Sequence, residues 1–239
     1  MLAAVGVAAI AGAAAIGVSM KRGEVPAARP PAERPTLVLL TSLPLVFGES
    51  FGLDSGGSAV LTRLEQRYNV LPIGVADAAS LEGQRLLLMA HPRAQPAEVL
   101  IELDQWVRGG GRVLLLADPR LDWPSERPLG DKLRPPPAFA DTGLLGHWGL
   151  KLSGPEPQGP AEAGNGRQTI LASSPGKLAS QDCTVVGNGF VARCRVGRGR
   201  ATIIADADFL NVAGEGALDG ATDQNLDVLI FELAQLETR

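Results

Sequence analysis

Aromatic residues are scarce in this sequence, 4% of 239 positions, and no run of basic residues interrupts it. Lys and Arg number 22 against 26 Asp and Glu, a net charge of −4. A nucleic-acid binder needs a cationic footprint for phosphates or aromatic platforms for bases, so neither charge nor stacking supports that class. Histidine is rarer still. His91 and His147 are the only two, which rules out a His-rich metal centre. There is no Walker loop, no G-x-G-x-x-G after a strand and no H-E-x-x-H. P-loop, dinucleotide and zincin chemistries therefore lack their sequence marks, and no catalytic residue is assigned. No cofactor is expected either.

What is present is apolar: 45% of the chain is hydrophobic, enough for a packed core. Leu2–Met20 runs without a charge and is long enough to cross a hydrocarbon core. We expect residues 1–22 to be a membrane anchor, with a signal segment or a soluble helix as the alternatives. A signal peptide carries a basic segment ahead of its apolar one, and only Met1 precedes this run. Lys21, Arg22, Arg29 and Arg34 follow it, which by the positive-inside rule favours a cytoplasmic domain. Residues 23–35 are Pro-rich and read as an extended spacer.

From residue 36 to 239 the pattern is that of one α/β domain. Strands are expected at 36–40, 70–75, 85–90, 112–117 and 200–205, as continuous apolar runs that suit burial on both faces of a parallel sheet. Helices alternate with them. Residues 58–68 have helical spacing, with Asp54, Ser55 or Ser58 as N-cap. Residues 96–107 place Val99, Leu100, Leu103, Trp106 and Val107 on one face, and a last helix capped by Asp223 does so with Leu226, Leu229, Ile230, Leu233 and Leu236. Gly109-Gly110-Gly111 lies after a helix and before a strand, the reverse of a phosphate loop, and is read as a helix stop. Residues 118–166 are expected to be a long irregular insertion around one amphipathic piece, 141–150, followed by a strand at 168–172.

Residues 183–195 read as a hairpin with Asn188-Gly189 at its tip. In that register Gly187 faces Phe190 and Cys183 faces Cys194, within reach of a disulfide. The alternatives are a bond, which implies an oxidising compartment, and two thiols that only face each other.

In a parallel sheet, whatever follows each strand collects on one rim. Here that is Thr41, Ser42, His91, Asp118, Asp206, Asp208 and Asn211. Such a set could bind a ligand or partner, or perform acid/base or metal-assisted hydrolysis. Aspartates after strands also close turns and cap helices.

Three segments carry a resemblance: "ELDQWVRGGGRVLLLADP" (102–119), "LLGHWGLKL" (144–152) and "GRATIIADADFLN" (199–211), with the helix that starts at Asp223. Together they resemble the soluble domain of auxiliary proteins of ABC-type transport systems, the gliding-motility (Gld-type) accessory group. The resemblance implies a flavodoxin-like, class I glutamine amidotransferase-like sandwich with a mostly parallel sheet, a β-hairpin insertion and an N-terminal membrane helix. It implies a domain outside the cytoplasm, and permease or ATPase subunits as partners. Amidotransferases carry a nucleophilic Cys on a sharp turn after a strand, where this chain offers His91-Pro92-Arg93, so the resemblance implies a non-catalytic member. Family members often end in a second membrane helix, and this chain ends in the polar "ETR".

Overall fold

A computed structural model describes residues 25–47, 57–155, 158–213 and 218–238. The expected anchor at 1–22 lies outside them, as do Asp54 and Ser55. Among the described residues no helix is long and apolar enough to cross a membrane.

The chain forms β1 (Thr36–Thr41), α1 (Ala59–Glu65), β2 (Asn69–Ile73), α2 (Ala78–Leu81), β3 (Leu86–Ala90), α3 (Ala97–Arg108) and β4 (Arg112–Leu116). Then come α4 (Leu144–His147), β5 (Leu150–Ser153), β6 (Pro160–Gly164), β7 (Thr169–Ser173), β8 (Lys177–Ser180), β9 (Thr184–Val186), β10 (Val191–Val196), β11 (Gly199–Ile204) and α5 (Asp223–Thr238). Seven strands make the central sheet, in the order β2-β1-β3-β4-β11-β10-β9. The first five of these are mutually parallel. Numbered among themselves they run 2-1-3-4-5, one of the two common doubly wound orders.

The apolar runs explain the layers. Leu37 and Leu39 face one side of the sheet while Val38 and Leu40 face the other, and all four are buried. One side is covered by α1 and α5, the other by α3 and α4. Helix α3 buries Val99, Leu103 and Val107, with Leu100 and Trp106 packed at the margin. Helix α5 is apolar on more than one face because it is covered twice. The sheet lies on one side, and Asn225 on the other exchanges hydrogen bonds with the Leu171 backbone of β7.

Several expectations shift. Ser58 is the N-cap of α1. At α5 the Thr222 hydroxyl accepts from Gln224 N–H, and Asp223 is already helical. The run 70–75 belongs to an edge strand that is largely exposed, not one buried on both faces. The irregular stretch is shorter than 118–166, because β5 and β6 lie within it. They pair with β8 and β7 as two small antiparallel ribbons, so the strand at 168–172 joins a ribbon and not the main sheet. The glycine stop holds: Gly110 has φ +121°, and Gly111 lies against the Trp106 ring, where a Cβ would meet ring carbon at 2.4 Å.

The hairpin β9–β10 extends the sheet on one edge in the expected register. Asn188 and Gly189 both have positive φ, 53° and 94°, and Phe190 N–H donates to the Gly187 carbonyl at 3.1 Å. This is the backbone of a two-residue primed turn. Cys183 and Cys194 form a disulfide with Cα atoms 4.5 Å apart, the spacing of a directly opposed, non-hydrogen-bonded pair. The bond closes a short loop of sequence separation 11, so reduction is expected to cost about 2–3 kcal/mol. Thermal unfolding with and without reductant checks this, and an unchanged Tm would show the bond to be dispensable.

The described part of the Pro-rich stretch is irregular apart from one 3-10 turn at Pro31–Glu33, and it is held against the domain. Arg29 N–H donates to the Gln66 carbonyl (2.8 Å) and Asn69 N–H to that of Pro35 (2.9 Å). Arg67 reaches the Ala27 carbonyl, and Arg29 pairs with Glu237 of α5 at 2.6 Å. Residues 25–35 thus form a strap across the amino edge of the sheet.

Candidate functional site: the carboxyl rim

The carboxyl ends of β1, β3, β4 and β11 do collect the expected residues, and most of them are buried. Thr41 donates its hydroxyl to the Ala90 carbonyl (2.9 Å) and accepts from Leu43 N–H (2.9 Å). Ser42 donates to the His91 carbonyl. These two residues stitch β1 to the turn after β3.

His91 itself is fully buried, with a left-handed backbone, φ +46°. That conformation is uncommon for a residue with a Cβ and marks a sharp turn. Its ring Nε2 lies 2.9 Å from the Pro136 carbonyl. A carbonyl only accepts, so Nε2 carries the proton and Nδ1 is left bare. Nδ1 is buried without a hydrogen-bond partner. Burial lowers the His91 pKa below its ordinary value, with Arg93 adding to the effect against the Pro136 bond. The ring is neutral, and no aspartate acts on it.

Asp118, Asp206 and Asp208 do come together. One oxygen from each lies within 4.8 Å of the others, and the residues are 0%, 0% and 2% exposed. Backbone amides meet them: Arg120 and Ala207 donate to Asp118, Ser173 and Phe209 to Asp206, and Asp122 to Asp208, at 2.8–3.2 Å. Burial raises all three, and repulsion adds to it: from Asp122 on Asp118, from Asp118 and Asp122 on Asp208, and from Asp118 and Asp208 on Asp206. Asp118 is pushed up to about 6, Asp208 to about 8, and Asp206 well above the carboxylate range. The three behave as one unit that holds protons near neutral pH.

Asn211 closes the same turn. Its N–H donates to the Asp208 carbonyl (2.8 Å), and its carbonyl accepts from Leu218 (2.9 Å). The sequence did not single out Asp122, whose carboxylate accepts from Ser173 (2.8 Å) and Ser174 (2.6 Å). Burial pushes Asp122 up, but those hydroxyls and Arg120 outweigh it and hold it low. Its one signal in the sequence is its position four residues after Asp118.

Over the rim lies the segment after β4. Phe139 N–H donates to the Asp118 carbonyl (2.6 Å) and Leu121 N–H to that of Pro137 (2.9 Å). The chain's own backbone therefore occupies the place where open α/β sheets receive ligands. Chemically, the carboxyl trio could exchange its protons for a divalent cation. It has oxygen donors of the right kind, but they are enclosed and already accept amide protons.

No family model matches the chain, and no curated protein does. Solved structures do share its fold. The mmIFT52 N-terminal domain aligns with a TM-score of 0.56 at 13% identity, over 84% of this chain and 98% of that one. Cytoplasmic Protein STM3548 from Salmonella typhimurium aligns at 0.51 and 11%, over 84% and 98%. The exo-beta-1,4-mannosidase Op5Man5 from Opitutaceae bacterium strain TAV5 gives 0.49 and 14% over 84% of this chain. This chain spans 36% of that enzyme's length. At such identities the likeness concerns architecture alone, and activity must be argued from the rim.

Proposed function

We propose that this is a non-catalytic binding or scaffold domain, anchored to the membrane by residues 1–22 and working beside an ABC-type transport system. The strand order 2-1-3-4-5 supports a flavodoxin-like, class I glutamine amidotransferase-like reading of the sandwich. The observation that carries the functional reading is His91. It sits on the sharp turn after β3, with φ +46°, where the resemblance places the amidotransferase nucleophile. An imidazole takes that place, sealed from solvent and bonded to Pro136. An elbow that presents no nucleophile to solvent serves packing, and the surface around it is left for partners.

The Cys183–Cys194 bond supports a domain outside the cytoplasm, since disulfides persist in oxidising compartments. The carboxyl trio favours a second reading, a metal-dependent hydrolase on the same rim. Its burial weighs against that reading, because hydrolysis needs an open coordination position.

The test is isolation of the full-length protein from its native membrane after mild crosslinking. ATPase and permease subunits are expected among the chains recovered. Recovery of the protein alone, with bound metal, would overturn the accessory reading in favour of the hydrolase.

A further inference from the structure

The edge opposite the rim carries a row of arginines for which the domain has little internal use. In register, Arg112 of β4 lies beside Arg200 of β11, and Arg200 lies directly opposite Arg195 of β10. Side chains in register project from one face of a sheet, so the three cations stand side by side. Like charges in directly opposed positions are destabilising unless something answers them.

Arg112 is answered: it donates to the Glu237 carbonyl at 2.6 Å, at the C-terminus of α5, where a cation is favoured. Arg195, and Arg198 in the turn that follows it, are exposed, and Arg200 is half-exposed. Among the described residues no carboxylate pairs with Arg195, Arg198 or Arg200. Glu237, the nearby acid, is committed to Arg29 and Tyr68.

Glu237 also locates the row relative to the rest of the chain. Its side chain receives Arg29 of the strap and its carbonyl receives Arg112, so strap and row meet at one residue. Val25, at the head of the strap, is five residues from Met20, the last of the uncharged apolar run. Five residues span roughly 18 Å at full stretch. An apolar run seated in a bilayer therefore holds this edge, and not the carboxyl rim, close to the headgroups.

We propose that the amino edge is the membrane-facing surface of the domain, with Arg195, Arg198 and Arg200 set against anionic phospholipid headgroups. This rests on the anchor reading above. Headgroup phosphates supply the charge that the opposed arginines lack, and attraction of this kind acts within a Debye length of the surface. The carboxyl rim then points away from the membrane, toward whatever the domain binds.

The test uses the full chain in phosphatidylcholine vesicles and in vesicles containing phosphatidylglycerol, each floated through high salt to remove unanchored protein. After return to low salt, arginines are modified with phenylglyoxal and read by peptide mass. Arg195, Arg198 and Arg200 are expected to react about fivefold more slowly on the anionic vesicles, and the difference should vanish when salt is restored. Arg120, half-exposed on the opposite rim, should react equally in both. Floating chains with equal rates at all four positions would overturn the surface assignment and leave the anchor standing. Equal slowing of Arg120 would also overturn it, as general adsorption. A chain that does not float with either lipid would overturn the anchor, and this surface with it.

Discussion

An Arg193→Met variant is expected to lose about 3–5 kcal/mol of folding stability, the penalty for leaving a buried charge without its partner. Glu232 lies on α5 with its side chain 0% exposed, while Arg193 of β10 is 24% exposed. Arg193 Nε and Nη2 approach the Glu232 carboxylate at 3.0 and 2.5 Å, and Asn165 Nδ2 donates to it at 2.9 Å. Removing the arginine strands a carboxylate that has no route to water. Removing the acid, as in Glu232→Gln, leaves an arginine that can turn outward and an amide that still accepts from Asn165. The second loss should be less than half the first. Combining Arg193→Met with Glu232→Leu should recover most of the stability, since an apolar pair of similar volume often replaces a buried ion pair at little cost. Urea midpoints of the three variants decide the matter. An Arg193→Met variant within 1 kcal/mol of the parent would mean that the pair is not closed in solution.

The carboxyl trio sets a pH dependence of unusual sign. An unfolded Asp releases its proton near pH 4, but in the folded domain Asp118 holds on to about 6 and Asp208 to about 8, with Asp206 also raised. Between those limits the folded state binds more protons than the unfolded one, so stability falls as pH rises. For Asp118 and Asp208 the decline starts above pH 4 and ends as pH passes about 8, on the order of 5–10 kcal/mol between them. Asp77, Asp104 and Asp122 are held low. Their contribution is present above pH 4 and lost below it. The two trends place maximum stability near pH 4–5, more acidic than for most domains.

Asp208→Asn should remove much of the alkaline decline and raise Tm at pH 8.5 by several degrees. The amide oxygen can still accept from Asp122 N–H while its NH2 group donates toward Asp118. A parent whose Tm is flat or rising from pH 5 to 8.5 would sink the idea. If the trio instead held a divalent cation, Asp208→Asn would lower stability, and added metal would raise the parent's Tm. The same titration thereby separates the scaffold and hydrolase readings.

Those parts of the fold that depend on short-range pattern were legible in the sequence. The strands "TLVLL" and "RVLLLA" are continuous apolar runs because both faces of the central sheet are covered, and that requirement appears directly as composition. That Cys183 faces Cys194 followed from the Asn188-Gly189 turn, since a primed turn fixes register residue by residue, but not that the two are bonded. The buried ends of the strands, by contrast, showed only that polar residues gather there. Nothing local says that His91 is capped by Pro136 or that Asp122 folds back onto Ser173 and Ser174. These contacts span 45 to 52 positions and involve no periodic pattern. Residues 70–75 misled for a related reason: apolar residues also occur on an edge strand, where Pro72 can sit because one side of the backbone makes no ladder. The ribbons β5–β8 and β6–β7 were obscured by glycine and proline, which mark turns but do not say what the turns connect.

The strap has a consequence for the order of events as the protein is made. Arg29 is joined to Glu237 across 208 positions, so the strap has its acidic partner only after nearly all of the domain exists. Until α5 arrives, one side of the sheet is covered by α1 alone, and Arg112 lacks its helix terminus. The strap's bonds to Gln66, Arg67 and Asn69 can form early, but its ion pair with Glu237 cannot. The domain should therefore acquire its protection against proteases in one late step, after α5 has been synthesised, and not progressively as successive strands emerge.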